Sequence, residues 1–491
     1  MTALTMPFDN SYARLPERFF AHHEVAPVAS PRLIKLNHRL CRVLGLDPAQ
    51  MESADAVAML AGHRFPDAAS PIAMAYAGHQ FGHFVPQLGD GRAVLVGEIL
   101  APEGRRFDLH LKGSGPTAFS RRGDGRAALG PVLREYIISE AMSAFGIPTT
   151  LSLAAVATGE PVYRETALPG AVLARVATSH IRVGTFQYFA ARQDTDALRL
   201  LAGYAIARLY PHLAQEAEPY VAFLEAVIAA QARLIAQWMS VGFVHGVMNT
   251  DNMSVAGETI DYGPCAFLDT YDPAAVFSSI DQHGRYAFAN QPHIAQWNLT
   301  RLAETLLPLL DADETRAIGK AEAALAQFAP LFNEHFRALF AAKIGLTTHR
   351  PSDIDLIQRL LKAMHEGQAD FTLTFRALAG ALTQGGEPGL LSLFANTYGI
   401  SQWLPDWRAR LDQENRSKDD IAAAMRAANP AIIPRNHKVE HALAAATEGD
   451  LAPFEDLLRA LETPYTDDTR LSPWTMPPMA HERVTRTFCG T

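Results

Sequence analysis

The chain has 491 residues, 48% hydrophobic and 19% charged, a balance that supplies a large core and excludes wholesale disorder. Lys and Arg total 43 against 52 Asp and Glu, a net charge of −9, which argues against a general nucleic-acid coat or an anionic-membrane binder. The first twenty residues mix Asp9, Arg14, Glu17 and Arg18 with no apolar run, so neither a secretory signal nor a transit peptide is evident and a cytoplasmic location is expected.

At roughly 150 residues per domain, the length allows about three domains or one large elaborated one. The stretch 31–46 spaces Leu33, Leu36, Leu40 and Val43 by threes and fours, with Gly45 near its end, and predicts a helix in an N-terminal extension, 1–71. Between about 73 and 182 the texture changes to short β-branched runs, 93–100, 106–112, 151–157 and 171–176, separated by Gly, Pro and charged turns, so a sheet is expected. One helix interrupts it, 132–145, opened by Pro131 and stopped by Gly146 and Pro148. The order is therefore strand, strand, helix, strand, strand. After about 194 helical periodicity dominates, in 220–239, 294–340 and 352–382, with short strand signals only at 253–255 and 259–260. The stretch 220–239 carries Glu225, Gln231, Arg233 and Gln237 and reads as an amphipathic helix rather than a membrane span. A Gly-rich break spans 385–389, and the Pro-rich tail 472–491 is expected on the surface. No solenoid repeat is present; Gly89-Asp90-Gly91-Arg92 is echoed by Gly123-Asp124-Gly125-Arg126.

In 106–112, alternation puts Phe107, Leu109 and Leu111 on one face and Asp108, His110 and Lys112 on the other. Alone, Lys112 reads as a solvated charge. Its neighbours change that reading: a Gly-x-Gly turn, Gly89 and Gly91, precedes the strand 93–100, and a helix bearing Glu135 follows. This layout lets a Lys–Glu pair hold a nucleotide phosphate under a backbone lid. A second cluster reads His245-Gly246-Val247-Met248-Asn249-Thr250-Asp251-Asn252, followed nine residues on by Asp261-Tyr262-Gly263. An amide and a carboxylate from adjacent loops, Asn252 and Asp261, suit Mg²⁺, which takes hard oxygen ligands. Each piece alone reads more readily as a turn; their order resembles the protein-kinase fold. The kinase loop has its catalytic Asp five residues before the Asn, and Val247 stands there. A competing pattern, His79-x-x-x-His83, has zinc-site spacing, but Gly78 and Gly82 weaken a helix and no third ligand is evident, so a turn is favoured.

Three stretches, Tyr76-Ala77-Gly78-His79-Gln80-Phe81-Gly82, Leu111-Lys112-Gly113-Ser114-Gly115, and the His245 to Asn252 cluster with Asp261-Tyr262-Gly263-Pro264-Cys265, resemble the selenoprotein O (SelO) family over nearly the whole length. The resemblance implies an α+β, bilobal kinase-like fold: the helical N-terminal extension 1–71, a sheet-rich N-lobe 72–190, and a helical C-lobe with C-terminal tail 191–491. It implies an enzyme that binds ATP reversed relative to kinases and transfers AMP, or UMP from UTP, to Ser, Thr or Tyr hydroxyls of proteins. By the same resemblance Gly89, Gly91, Arg92, Lys112, Asp124, Gly125, Arg175, Arg182 and Asp261 match nucleotide-binding positions. Asn252 and Asp261 match ligands of Mg²⁺ or Mn²⁺ and Asp251 matches the proton acceptor; Lys112 and Glu135, the pair that the kinase-like layout sets on a nucleotide phosphate, are expected with Asp251 among the catalytic residues. The expected partners are ATP and protein substrates, with neither nucleic acid nor membrane. Fixed cations fit a pyrophosphate leaving group, and Arg92, Arg175 and Arg182 could supply them beside Lys112. Two other readings stay open: a nucleotide-binding pseudokinase scaffold, and a phosphotransferase that uses Asp251 as base.

Three cysteines are too few for a disulfide framework. Cys41 reads as a small buried hydrophobe. In the SelO family the near-terminal position is selenocysteine or cysteine, which suggests redox chemistry for Cys265 and Cys489. They form either a disulfide that tethers the tail beside the Asp261 loop or two free thiols.

Overall fold

The computed structural model describes residues 4–348, 350–383 and 385–488. Its centre is an eight-stranded antiparallel sheet, which makes the chain an α+β protein. In chain order the first elements are β1 (Phe20–His22), β2 (Arg32–Leu36), α1 (His38–Val43), α2 (Pro48–Met51), α3 (Ala54–Leu60) and β3 (Ile72–Met74). A small hairpin, β4 (Gly78–Gln80) and β5 (His83–Val85), stands apart. Then come β6 (Ala93–Leu100), β7 (Arg106–Lys112), β8 (Ala127–Ala128), α4 (Leu129–Ala144), β9 (Leu151–Tyr163) and β10 (Ala167–Ala177). The strand order is β1-β3-β6-β7-β10-β9-β2, with β8 added against β10. The expected succession of two strands, a helix and two strands is therefore present as β6, β7, α4, β9 and β10.

The N-terminal segment is a correction to the expected helical extension. Residues 32–36 are an edge strand paired with β9, and β1 pairs with β3 at the opposite edge. The three-and-four spacing of leucines runs across Asn37, whose side chain accepts from the Leu40 amide and starts the helix only at His38. Periodicity cannot see that cap when the flanking strand is itself leucine-rich.

Both faces of the sheet are covered. Val96, Leu109, Leu111, Val156 and Val176 pack against Leu40, Leu44, Met51 and Leu60 of the N-terminal helices. On the other face Leu95, Ala155 and Leu173 pack with Leu133 and Ile137 of α4. The alternation in 106–112 thus sends Leu109 and Leu111 into an apolar layer and leaves Asp108, His110 and Lys112 facing α4's side of the sheet. α4 ends where Gly146, at φ 75°, lets the Gly146 and Ile147 amides return to the Ser143 and Met142 carbonyls.

Helices follow: α5 (Val183–Ala190), α6 (Thr195–Leu209) and α7 (Pro219–Ser240). The strand pair β11 (Phe243–Val244) and β12 (Ala266–Phe267) comes next, then α8 (Gln291–Leu310), α9 (Glu314–Leu325), α10 (Phe328–Lys343), α11 (Asp353–Glu366) and α12 (Phe371–Gly380), with further helices over 387–475. The strand signals at 253–255 and 259–260 appear only as single bridges, Arg182 with Ser254 and Thr149 with Thr259. Among the described residues α7 is long and apolar enough to cross a membrane, and half of its apolar window is buried inside the protein. Near the end of the tail, Thr487 is buried and bridged to Ser278.

Candidate functional site

The site is built where β7 and β10 end over α4. Register places Arg175 opposite His110 and Leu173 opposite Lys112, so Arg175 and Lys112 share the polar face. Glu135 rises from α4, which runs beneath that face. Lys112 Nζ donates to Glu135 Oε2 at 2.6 Å and to Asp261 Oδ1 at 2.7 Å. Arg175 Nη1 donates to Glu135 Oε1 at 3.0 Å and to the same Asp261 Oδ1 at 2.7 Å. Arg182, from the residue preceding α5, brings Nη2 to 3.5 Å from Asp261 Oδ2 and Nη1 to 3.6 Å from Asp90 Oδ1. Both arginines are almost fully buried, at 2% and 1% exposure. Three cations thus face three carboxylates, Glu135, Asp261 and Asp90. Burial pushes the Asp261 carboxyl up, but the Arg175, Lys112 and Arg182 charges outweigh it and hold it well below the usual carboxylate range.

A second layer fixes these groups. Arg175 Nε donates to His110 Nδ1 at 3.1 Å, which leaves the His110 Nε2 proton to reach Asp90 Oδ2 at 3.1 Å. His110 stacks on His180, with ring centroids 4.3 Å apart. Burial lowers the pKa of both rings, His180 to about 3. His245 is wholly buried: its Nε2 donates to the Ile260 carbonyl at 2.9 Å, and its Nδ1 accepts from the Val247 amide at 3.3 Å. One imidazole therefore ties the loop that carries Asp251 to the loop that carries Asp261, whose backbone is left-handed at φ 64°.

Asp251 and Asn252 sit in a short helical turn at 250–252. Burial pushes the Asp251 carboxyl up to about 6. Its Oδ2 accepts from Gln80 Nε2 at 3.1 Å, and its Oδ1 is buried without a hydrogen-bond partner among the described residues. Asn252 spends its amide N–H on the Val247 carbonyl at 3.0 Å, which leaves the amide oxygen as its free end. Val247 itself is buried in the apolar core. Among the described residues no three His, Cys, Asp or Glu side chains converge as a metal cluster. A donor pair of one carboxylate and one amide oxygen nevertheless fits a hard divalent cation that keeps phosphate or water oxygens in its shell.

One cleft of about 810 Å³ is lined by Gly89, Gly91, Arg92, Lys112, Asp124, Gly125, Arg175, Arg182, Asp251, Asn252 and Asp261. The lining draws on chain positions from Tyr76 to Ile280. Gly89 has φ 69°, and a Cβ on it would lie 2.2 Å from the Phe119 ring, so the turn needs glycine to pack on that segment. Both Gly-Asp-Gly-Arg repeats reach the cleft, where Asp124 pairs with Arg164 at 2.8 Å. Glu135 stands behind the lining. Cys265 is buried, with burial pushing its thiol up to about 12, and has no disulfide partner among the described residues; Cys489 lies outside the described residues. Thr487 Oγ1 donates to the Pro264 carbonyl at 2.5 Å. His79 and His83 lie on the two strands of the β4–β5 hairpin, whose turn places Phe81 and Gly82 at positive φ, in accord with the turn reading.

Sequence reasoning missed Asp90, His110, Gln80, Arg121 and Arg122. Asp90 sits between two glycines and reads as a turn residue. His110 and Gln80 acquire partners only through folding. Arg121 and Arg122 line the cleft and, like Arg92, have no ion pair among the described residues; adjacent arginines in a loop are their only sequence signal.

A cationic cradle around Asp261 beside a glycine turn, with an amide oxygen donor in the same cleft, has the chemistry to hold nucleotide phosphates. Comparison with known proteins narrows the class. A family model described as protein adenylyltransferase SelO matches residues 2–462. The chain is 62% identical over 486 residues to a protein nucleotidyltransferase YdiU of a Bradyrhizobium species, covering 99% of each chain. It is 59% identical over 499 residues to that of Methylorubrum populi, covering 100% of each, and 59% identical over 486 residues to that of Rhizobium etli, covering 99% of this chain and 97% of the relative. The chain belongs to the SelO family, and its class of activity is protein nucleotidyl transfer.

Proposed function

We propose that this chain is a cytoplasmic enzyme that transfers AMP from ATP to Ser, Thr or Tyr hydroxyls of proteins. The nucleotide is bound reversed relative to kinases, in a kinase-like bilobal fold with a sheet-rich lobe at 72–190 and a helical lobe at 191–491. The observation that carries this reading is the convergence of Lys112, Arg175 and Arg182 on Asp261, with the acidic Asp251 nearby and the apolar Val247 where a kinase keeps its base. The acceptor oxygen forms a bond to the α-phosphorus, the bond from that phosphorus to pyrophosphate breaks, and the acceptor proton passes to the Asp251 carboxylate. Lys112, Arg175 and Arg182, held in place by Glu135, Asp90 and Asp261, face the negative charge that grows on the departing pyrophosphate. Arg92, without a carboxylate partner among the described residues, adds a further cation to the cleft lining. Asn252 and Asp261 would hold Mg²⁺ or Mn²⁺, which when bound neutralises phosphate charge.

The test uses ATP labelled at the α or the γ phosphate with casein as acceptor. Retention of the α label alone on protein is the expected result. Retention of the γ label instead supports a phosphotransferase using Asp251, and transfer of neither label with either metal supports a scaffold.

A further inference from the structure

The segment Tyr76 to Phe81 is stitched to the Asp251 loop and its surroundings residue by residue. The Tyr76 ring lies under the Arg182 guanidinium at 4.4 Å, and the Ala77 amide donates to the Gly184 carbonyl at 2.9 Å. The His79 amide donates to Thr250 Oγ1 at 2.6 Å, and the Phe81 amide to Asn249 Oδ1 at 3.1 Å. Thr250 passes its own proton to Gln187 Oε1 at 2.6 Å, and the Gln187 amide returns to His79 Nδ1 at 2.8 Å. The backbone partners are thereby spent on Asn249 and Thr250. The side chain of Gln80 is the one group of the hairpin that donates to the Asp251 carboxylate itself.

Space constrains the same carboxylate. A Cβ on Gly78 would lie 2.6 Å from Asp251 Oδ1 and 3.0 Å from its Cβ, so glycine is required for the hairpin to close over it. Gly184 allows the same approach from below, where a Cβ would lie 2.1 Å from the Ala77 carbonyl and 3.3 Å from the Asp251 Cα. One carboxylate oxygen is held by an amide, and the other has no partner among the described residues. An unpaired buried acceptor costs stability, and the hairpin maintains that arrangement.

The geometry points to Gln80 as the positioning residue of Asp251: its amide pins Oδ2 while Oδ1 packs against Gly78, so the hairpin fixes the rotamer of the carboxylate that takes the acceptor proton. The inference rests on the reading of Asp251 as proton acceptor and assigns the hairpin β4–β5 a part in turnover. Gln80 touches no reacting atom. It acts through the rotamer of Asp251, and a loosened carboxylate spends less time in line with the acceptor, for which losses of about 100-fold from a misplacement of about 1 Å are typical.

The test is steady-state pyrophosphate release from ATP with casein as acceptor, in the wild type, Gln80→Met, Asp251→Asn and the double variant. Met keeps the volume of Gln and removes the donor. The expected result is a fall in kcat of roughly 10- to 100-fold for Gln80→Met, with KM for ATP and the ATP-induced shift in unfolding temperature unchanged, and no further loss when it is added to Asp251→Asn. Gln80→Glu, which keeps the shape and replaces the donor by an acceptor, is expected to lose at least as much and serves if the Met variant folds poorly. Wild-type kcat in Gln80→Met beside a damaged Asp251→Asn overturns the role of Gln80 and leaves Asp251 standing. An equal loss in both backgrounds also overturns it, because Gln80 then acts elsewhere. An undamaged Asp251→Asn removes the proton acceptor, and the inference falls with it.

Discussion

Replacing Asp261 by Asn tests the electrostatic design of the site. The carboxylate accepts from Lys112 and Arg175 at 2.7 Å each and lies 3.5 Å from Arg182. Asn keeps the shape and leaves three cations facing Glu135 and Asp90 alone. Removing one partner from a buried ion cluster costs roughly 3–5 kcal/mol. At about 2.1 cal/mol/K per residue, a chain of 491 residues unfolds with an entropy of roughly 1 kcal/mol/K, so the midpoint should fall by about 3–5 °C. Inorganic tripolyphosphate without divalent metal should then stabilise the variant more than the wild type, because the polyanion no longer competes with a carboxylate for the same cations. Nucleotide transfer should nevertheless be lost, since the carboxylate half of the Asn252 and Asp261 donor pair is gone. Differential scanning calorimetry with and without tripolyphosphate reads both effects. An unchanged midpoint, or equal stabilisation of both proteins by tripolyphosphate, would refute the account of Asp261 as counter-charge to an anion cradle.

Asp251→Asn should lower kcat by about 10²- to 10⁴-fold, the range of general-base catalysis, and leave ATP affinity unchanged in titration calorimetry. Lys343, the last residue of α10, is 3% exposed and has no carboxylate partner among the described residues; its ammonium faces the Phe371 and Phe375 rings at 5.5 and 4.2 Å. Burial lowers its amine from 10.5 to about 7, so the unfolded chain holds more protons between pH 7 and 10.5 and stability rises with pH across that window. Lys343→Met should remove that slope and stabilise the protein at pH 7 by roughly 2–4 kcal/mol after the lost cation–π contact is allowed for, as urea unfolding at pH 7 and pH 10 would measure. At Glu414 burial pushes the carboxyl up, but hydrogen bonds from Thr347 and Thr348 outweigh it and hold the pKa at about 2 against 4.5. Its stabilisation is complete above pH 4.5 and is lost as pH falls toward 2; Glu414→Gln should flatten that part of an acid-unfolding profile followed by circular dichroism.

The strand, strand, helix, strand, strand order, the polar face that carries Lys112 and the helix bearing Glu135 were legible in the sequence, because each rests on local signals, alternation and helix stops; Asp124, Arg175 and Arg182 were pointed to by the family resemblance, and Gln80, Asp90, Arg121 and Arg122 of the cleft lining were not singled out at all. The helical reading of 31–46 held from His38 to Val43 and failed at Arg32–Leu36, because a cap at Asn37 and a partner strand, β9, overrode an apolar spacing common to both structures. What only the tertiary structure decided is which polar groups meet. Nothing in the spacing of Asp90, His110, Arg175 and Arg182 says that they form one buried network. Nor does a hairpin read as punctuation announce that Gln80 reaches an aspartate 171 residues away. Local periodicity encodes which face of an element is buried. The pairing of charges within that buried space depends on strand register and on the distances at which separate elements pack, and those are properties of the whole chain.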